Sequence, residues 1–486
     1  MTVQQASLRA QLWRKKPITA ATTTSSEGLE RSLGTFSLMM FGVGSTVGTG
    51  VFFVMHEAVP DAGPAVIISF LLAGLAAGLS ALSYAEMASA VPVSGSTYSY
   101  AYATLGEVVA MGVAACLLLE YGVSTAAVSV GWSGYLNQLL HNLFGWQIPT
   151  ALSAAPWDAD PGFINLPALI LVAMCAVLLI RGASESARVN TVMVIIKLAV
   201  LLMFVAVAFT GFTADNFADF APKGVAGITA AAGTIFFTFI GLDAISTAGD
   251  EVRNPQKTMP RAILGALAIV TTIYVLVAVS ALGTQPWQEF GDAEQGEAGL
   301  AKILQDVVGA SWPGTILSAG AVISIFSVTL VTMYGQTRIL FAIGRDGLLP
   351  RAFARVNPRT HTPVNNTVIV AVVVGLLAAF IPLDYLWDLV SIGTLIAFMV
   401  VSIGVIILRR TRPDLPRGFK VPGYPVTPVL AVLACLYILS GLQWYTYAWF
   451  LLWLSVVLAF YFLWGRKHSL LQRAIEADLL RDEDLR

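Results

Sequence analysis

Charge is scarce in this chain. Its 486 residues hold 28 Lys plus Arg against 29 Asp plus Glu, a net charge of −1. That balance gives no reason to expect nucleic-acid binding. Histidine is rarer still: His56, His141, His361 and His468 fall at the ends of apolar runs or between them, which excludes a buried histidine relay. The three cysteines, Cys116, Cys175 and Cys435, each lie in an apolar run with no metal-ligand spacing and no disulfide pattern. They read as small packing residues. A phosphate loop preceded by a strand, a nucleophile with its base and a metal-ligand cluster are all missing. An enzyme is therefore not expected, and neither is a metal or organic cofactor. More than thirty polar residues precede the first apolar segment, which argues against a cleaved signal peptide.

What is abundant is apolar length. The composition is 57% hydrophobic with a mean hydropathy of +0.76, outside the range of soluble globular chains. Runs long enough to span a bilayer recur at 36–57, 65–90, 108–139, 163–181, 190–211, 228–248, 262–283, 312–341, 366–382, 388–408, 428–443 and 446–464. They predict an all-α integral membrane protein of about twelve transmembrane helices. The third and eighth runs exceed a perpendicular crossing, which implies tilt or extension into water. When alternate loops are assigned to alternate sides, 25 of the 28 Lys plus Arg fall on the side of the N-terminus. Lys223 and Lys302 remain opposite, and Lys197 lies inside a span. That asymmetry predicts a multi-pass plasma-membrane protein with both termini in the cytoplasm.

The first span interrupts itself with Gly42, Gly44, Gly48 and Gly50 in FGVGSTVGTGVFF. Glycine in a helix interior costs about 0.5–1 kcal/mol relative to alanine, so four of them invite unwinding. A second interruption, FFTFIGLDAIS at 236–246, falls in the sixth span. Five spans separate the two, so they cross the membrane in opposite directions. This predicts an inverted repeat of five plus five helices with helices 1 and 6 broken, followed by two extra helices. The implied organisation is a tail at 1–34, repeat one at 35–211, repeat two at 212–410, the last two spans at 411–465 and a tail at 466–486. Gly74 and Gly78 of the second span are expected to allow close helix contact instead.

Unwound backbone in a membrane is tolerated only where protein or a water-filled cavity satisfies it, and paired breaks point to a transporter's midplane site. The first break presents Ser45, Thr46, Gly48, Thr49 and Gly50, whose amides open a half-helix and suit a carboxylate. Carbonyls freed around Phe237, Thr238 and Ile240 suit an ammonium. Opposed donors and acceptors of this kind describe an α-amino acid headgroup.

Three charged residues are expected well inside spans: Glu120, Lys197 and Asp243. Each needs a partner, a cavity or neutralisation, because a charge at the bilayer centre costs at least ~2.5–3.5 kcal/mol. Lys197 lies about 10 Å along its helix from Asn190, too deep to snorkel easily. Desolvation disfavours its charged form, so it could carry a coupling proton. The alternative is a permanently charged brace on the unwound carbonyls of span 1. Asp243 could cap the inner half-helix or lie on the proton path, and Glu120 could be a protonated structural acid or a coupling or cation-selecting one.

Several stretches together resemble the amino acid–polyamine–organocation superfamily, most closely its cationic amino acid transporter branch. They are GVGSTVGTGVF (42–52), YAEMASAVPVSGSTYSYAYATLGE (84–107), LEYGVSTAAVSVGWSGY (119–135), FFTFIGLDAISTAGDEVRNPQKTMPRAI (236–263) and YGQTRILFAIGRDGLLPRAFARV (334–356). The resemblance implies a LeuT-type fold, alternating access and uptake of L-amino acids coupled to protons. It implies that Thr46, Thr49 and Gly50 hold the substrate carboxylate, that Phe237 is an aromatic gate, and that Lys197 replaces a bound sodium ion. Side-chain selection would fall to Ser124, Ser327 and Thr332, with small neutral and cationic substrates both open. An exchanger or polyamine antiporter on the same fold is the alternative function; a sensor, a channel or an enzyme fits less well. The expected partners are an L-amino acid and the lipid bilayer, with any small membrane subunit left undefined.

Overall fold

Apolar runs of about twenty residues satisfy their backbone polar groups internally by forming helices, and the chain obeys this almost throughout. The structure, a computed structural model, describes residues 13–17, 29–158, 161–291, 299–440 and 444–474. The side chains of Thr49 and Phe237 fall outside the described set, as do most of both expected tails. Among the described residues, every one of the twelve expected runs has a helical counterpart. The first is divided into α1 (Thr35–Thr46) and α2 (Thr49–Ala62). There follow α3 (Val66–Ala90), the short α4 (Ser96–Thr104), α5 (Glu107–Phe144), α6 (Leu166–Arg181) and α7 (Ala183–Ala208). The sixth run is divided again, into α8 (Gly224–Phe236) and the single turn α9 (Ala244–Thr247). The rest comprises α10 (Pro255–Thr284), α11 (Gly299–Val308), α12 (Trp312–Arg345), α13 (Val364–Phe380), α14 (Leu383–Thr411), α15 (Val426–Leu439) and α16 (Trp444–Phe460). Among the described residues, seven continuous helical stretches are long and apolar enough to cross a membrane, and α6, α8, α13 and α15 are shorter apolar helices.

The two longest helices, α5 and α12, pack along each other and frame one wall of the interior; α10 packs along α3 and against α1. The expected close contact of α3 is present: a Cβ on Gly74 would lie 3.1 Å from Thr271 and one on Gly78 would lie 3.3 Å from Leu267, both on α10. Outward-facing positions of α15 and α16 are large and apolar, among them Leu433, Tyr437, Trp449 and Leu452, as lipid contact requires. Leu33, just before α1, forms a parallel bridge with Val252, just after the second break. The two broken segments are thus tied together at one end of the molecule.

Two expectations about charge and glycine need correction. Arg338, assigned by its position to a loop side, is fully buried within α12. Its Nε bonds Glu251 Oε1 at 2.8 Å and its guanidinium lies 3.9 Å from the Tyr334 ring centroid. The buried charges therefore exceed the three expected, and this pair compensates itself. Gly42 and Gly44 do not unwind α1. They lie inside it, where a Cβ on Gly42 would come within 2.5 Å of Ile245 and one on Gly44 within 2.6 Å of Asn190. Their missing side chains allow helix approach, and the break itself falls on Val47 and Gly48.

Candidate functional site

The first break is built by conformation. Val47 is extended (φ −79°, ψ 92°), and Gly48 takes φ −131°, ψ −140° before α2 restarts. A Cβ on Gly48 would sit 2.7 Å from Val328 of α12, so only glycine lets the break lie against that wall. Unwinding deprives the last carbonyls of α1 of their helical partners, and side chains from other helices replace them. Lys197 Nζ on α7 donates to Gly44 O at 2.9 Å and to Val47 O at 2.5 Å, with Ser327 Oγ at 3.4 Å. Ser324 Oγ also donates to Val47 O, at 2.9 Å. Asn190 donates from Nδ2 to Met40 O at 3.0 Å and accepts at Oδ1 from Ser327 Oγ at 2.7 Å. Lys197 is fully buried, and its ammonium has as many acceptors as it has protons.

The second break is a single 3₁₀ turn, Phe237–Phe239, followed by Gly241 at φ +105°. A side chain at Gly241 would be strained by that φ, and its Cβ would lie 2.8 Å from Ser45 O. The two breaks touch here: Ser45 Oγ donates to Gly241 O at 2.7 Å. The Tyr274 hydroxyl on α10 lies 3.0 Å from both Thr46 O and Thr238 O.

Between the breaks and the α5–α12 wall is a cavity of about 450 Å³, within the ~300–1,000 Å³ usual for small-ligand sites. The first break contributes Ser45, Thr46, Gly48 and Gly50, and the second contributes Thr238 and Ile240. Glu120 and Ser124 enter from α5 and Thr332 from α12. The aliphatic part of the lining comes from Val54 of α2, Val128 of α5, Val328 of α12 and Val390 of α14. The first amides of α2 have no in-helix acceptor, and Gly48 and Gly50 at that end line the cavity.

Two residues, Asp243 and Ser327, fall elsewhere than one reading of their sequence suggested, while Lys197 reaches the unwound carbonyls of span 1. Asp243 occupies the N-cap position of α9 but makes no side-chain cap hydrogen bond; instead its Oδ2 accepts from the Tyr121 hydroxyl at 2.5 Å. Its Oδ1 lies beside the Gly241 and Asp243 amides without a well-aligned bond. The cap is not made because the half-helix it would start is one turn long and the carboxylate is drawn towards α5. Ser327 does not reach the cavity; it faces Lys197 and Asn190. Lys197 stands behind the first break, outside the cavity lining.

Glu120 is buried with Oε2 lacking a hydrogen-bond partner among the described residues, and the Thr394 side chain lies beside it. Thr49 and Phe237 lie outside the described side chains. Sequence reasoning missed Tyr121, Tyr274, Asn190 and Ser324. A lone tyrosine hydroxyl in an apolar run needs a partner when buried, and that was the one available signal for Tyr274.

Comparison with known proteins agrees with this architecture. The family model described as amino acid permease matches residues 33–469. A branched-chain amino acid permease of Bacillus subtilis is 44% identical over 96% of this chain and all of its own length. The methylthioribose transporter of the same organism is 42% identical over 95% of the chain and 99% of its own length. Cationic amino acid transporter 1 of Arabidopsis thaliana is 34% identical over 79% of the chain and 64% of its own length. These relatives are transporters, not enzymes.

Proposed function

The chain belongs to the amino acid permease family of multi-pass membrane transporters, and from that premise we propose that it takes up L-amino acids coupled to protons by alternating access. The substrate carboxylate sits against the amides that open α2, beside Thr46, Thr49 and Gly50. Its ammonium meets the carbonyls around Phe237, Thr238 and Ile240. The aliphatic wall of Val54, Val128, Val328 and Val390 suits a branched neutral side chain, the substrate type named for the Bacillus relative. Ser124 and Thr332 border the side-chain end.

One observation carries the reading: a cavity of amino acid size lies between two broken helices, with a buried lysine holding the carbonyls of the first. The lysine supplies the positive charge that a bound metal ion would otherwise bring to those carbonyls. Losing its proton would remove the charge and one of three N–H donors, weakening the hold on the Gly44 and Val47 carbonyls and loosening the break; regaining it would restore the full brace. Glu120 and Asp243, one lining the cavity and one bonded to Tyr121 beside it, are acids through which such a proton can pass. The two broken helices belong to repeats at 35–211 and 212–410 in opposite orientation, with both termini cytoplasmic and the plasma membrane as location.

A second reading has its own support. Every proton of the Lys197 ammonium finds an acceptor, as a permanently charged brace would require, and the chain would then work as an exchanger. Glu120 in the cavity lining likewise leaves room for a cationic substrate. Uptake into liposomes decides among these. Stimulation of leucine, isoleucine or valine uptake by an inward proton gradient supports the symporter. Uptake that ignores the gradient but responds to internal amino acid supports exchange, and preference for lysine or arginine reassigns the substrate.

A further inference from the structure

Among the described residues, the Tyr274 hydroxyl is the one group from a third helix that touches backbone carbonyls of both breaks. It lies 3.0 Å from Thr46 O, the last carbonyl of α1, and 3.0 Å from Thr238 O, in the 3₁₀ turn of the second break. The two carbonyl oxygens can thus be no farther apart than twice that distance. An ammonium nitrogen that donates to both needs them within about 6 Å, since each N–H···O bond spans ~2.9 Å. Thr46 and Thr238 line the cavity, whereas Tyr274 is fully buried and does not. The phenol therefore holds the carbonyls from behind. Each carbonyl oxygen has two lone pairs, and the hydroxyl has one proton to share between them, so acceptor capacity remains for a ligand.

The ring cannot drift. It packs edge-on against Phe70 of α3, with centroids 6.0 Å apart, and against Phe239 of the second break, at 5.3 Å.

We propose that Tyr274 is a positioning residue for the substrate's α-amino group: by bridging Thr46 O and Thr238 O it sets the spacing at which an ammonium can bind both. The inference rests on the reading of the cavity as an amino acid site. It predicts that the hydroxyl matters to ligands in proportion to their amine and not to their carboxylate.

The test is equilibrium binding to the full-length protein in liposomes, using leucine, 3-methylbutylamine (the amine without the carboxylate) and 4-methylpentanoate (the acid without the amine). Tyr274→Phe keeps the ring contacts and should weaken leucine and the amine tenfold or more, leaving the acid within twofold. Parallel shifts of amine and acid, or no shift in either, overturn the proposal. If the variant does not fold, 3-fluorotyrosine at position 274 keeps ring and hydroxyl but changes donor strength. It should shift the amine-bearing ligands at least twofold and leave the acid unmoved; equal behaviour of all three overturns the proposal. Wild type that binds neither leucine nor the amine refutes the amino acid site itself, and Tyr274's role with it.

Discussion

The two broken helices solve one problem in opposite ways. At the first break, the released carbonyls of Gly44 and Val47 receive a full positive charge from Lys197 and a hydroxyl from Ser324. At the second, Thr238 O receives the neutral hydroxyl of Tyr274, Gly241 O receives that of Ser45 and the Ala244 amide, and an acid, Asp243, follows in the same segment. At the first break a cation holds Gly44 O and Val47 O from behind, while Thr46 O has only a share of the Tyr274 hydroxyl. The second keeps its acceptors weakly paired, in a setting that welcomes positive charge. On the proposed reading, the two charged ends of an α-amino acid complement this difference, with the amides opening α2 as donors to the carboxylate.

The comparison can be broken most severely at its point of contact. Gly241→Ala places a Cβ at φ +105° and 2.8 Å from Ser45 O. Left-handed backbone alone costs about 1–2 kcal/mol for a residue with a side chain, and the clash adds to it. Amino acid uptake should fall more than tenfold, with a lowered melting temperature of the purified protein; uptake within twofold of wild type would mean that the breaks do not need this contact.

A finer probe is Asp243→Asn. Asparagine can still accept the Tyr121 hydroxyl at Oδ1 but holds no titratable proton. Equilibrium binding of substrate should stay within about threefold, while stimulation by a proton gradient should drop severalfold. Loss of binding with coupling intact would place Asp243 on the substrate instead of the proton path.

The smallest effect is expected from Ser324→Ala, which removes one of two donors to Val47 O. Lys197 remains, so the loss should be near the ~0.5–1.5 kcal/mol of one hydrogen bond, read as a modest drop in thermal stability with uptake nearly unchanged. A larger loss at Ser324 than at Gly241 would reverse the ranking of the two breaks.

Local patterns made much of this legible. A bilayer demands about twenty apolar residues per crossing, so helix positions follow from hydropathy, and the lysine in NTVMVIIKLAV had to find acceptors somewhere. The unwound carbonyls of span 1 are those acceptors. What was hidden depends on partners far away in sequence. Arg338 reads as a helix-end charge until Glu251, 87 residues earlier, is brought against it. Gly42 and Gly44 read as helix breakers, because glycine used for conformation and glycine used for clearance look alike until Ile245 and Asn190 are seen beside them. Asp243 reads as a cap because Tyr121 is 122 residues away. Tyr274 is an ordinary member of an apolar run until two orphaned carbonyls converge on its hydroxyl.

The central claim is that Lys197 couples proton movement to the first break. Its most direct test is gradient-driven uptake in liposomes by wild type and Lys197→Ala, measured at equal reconstituted protein. The account predicts that an inward proton gradient stimulates wild-type uptake and has no effect on the variant, which still exchanges internal for external amino acid. A variant that keeps full gradient stimulation, or a wild type that never shows it, would contradict the account and leave Lys197 as a brace alone.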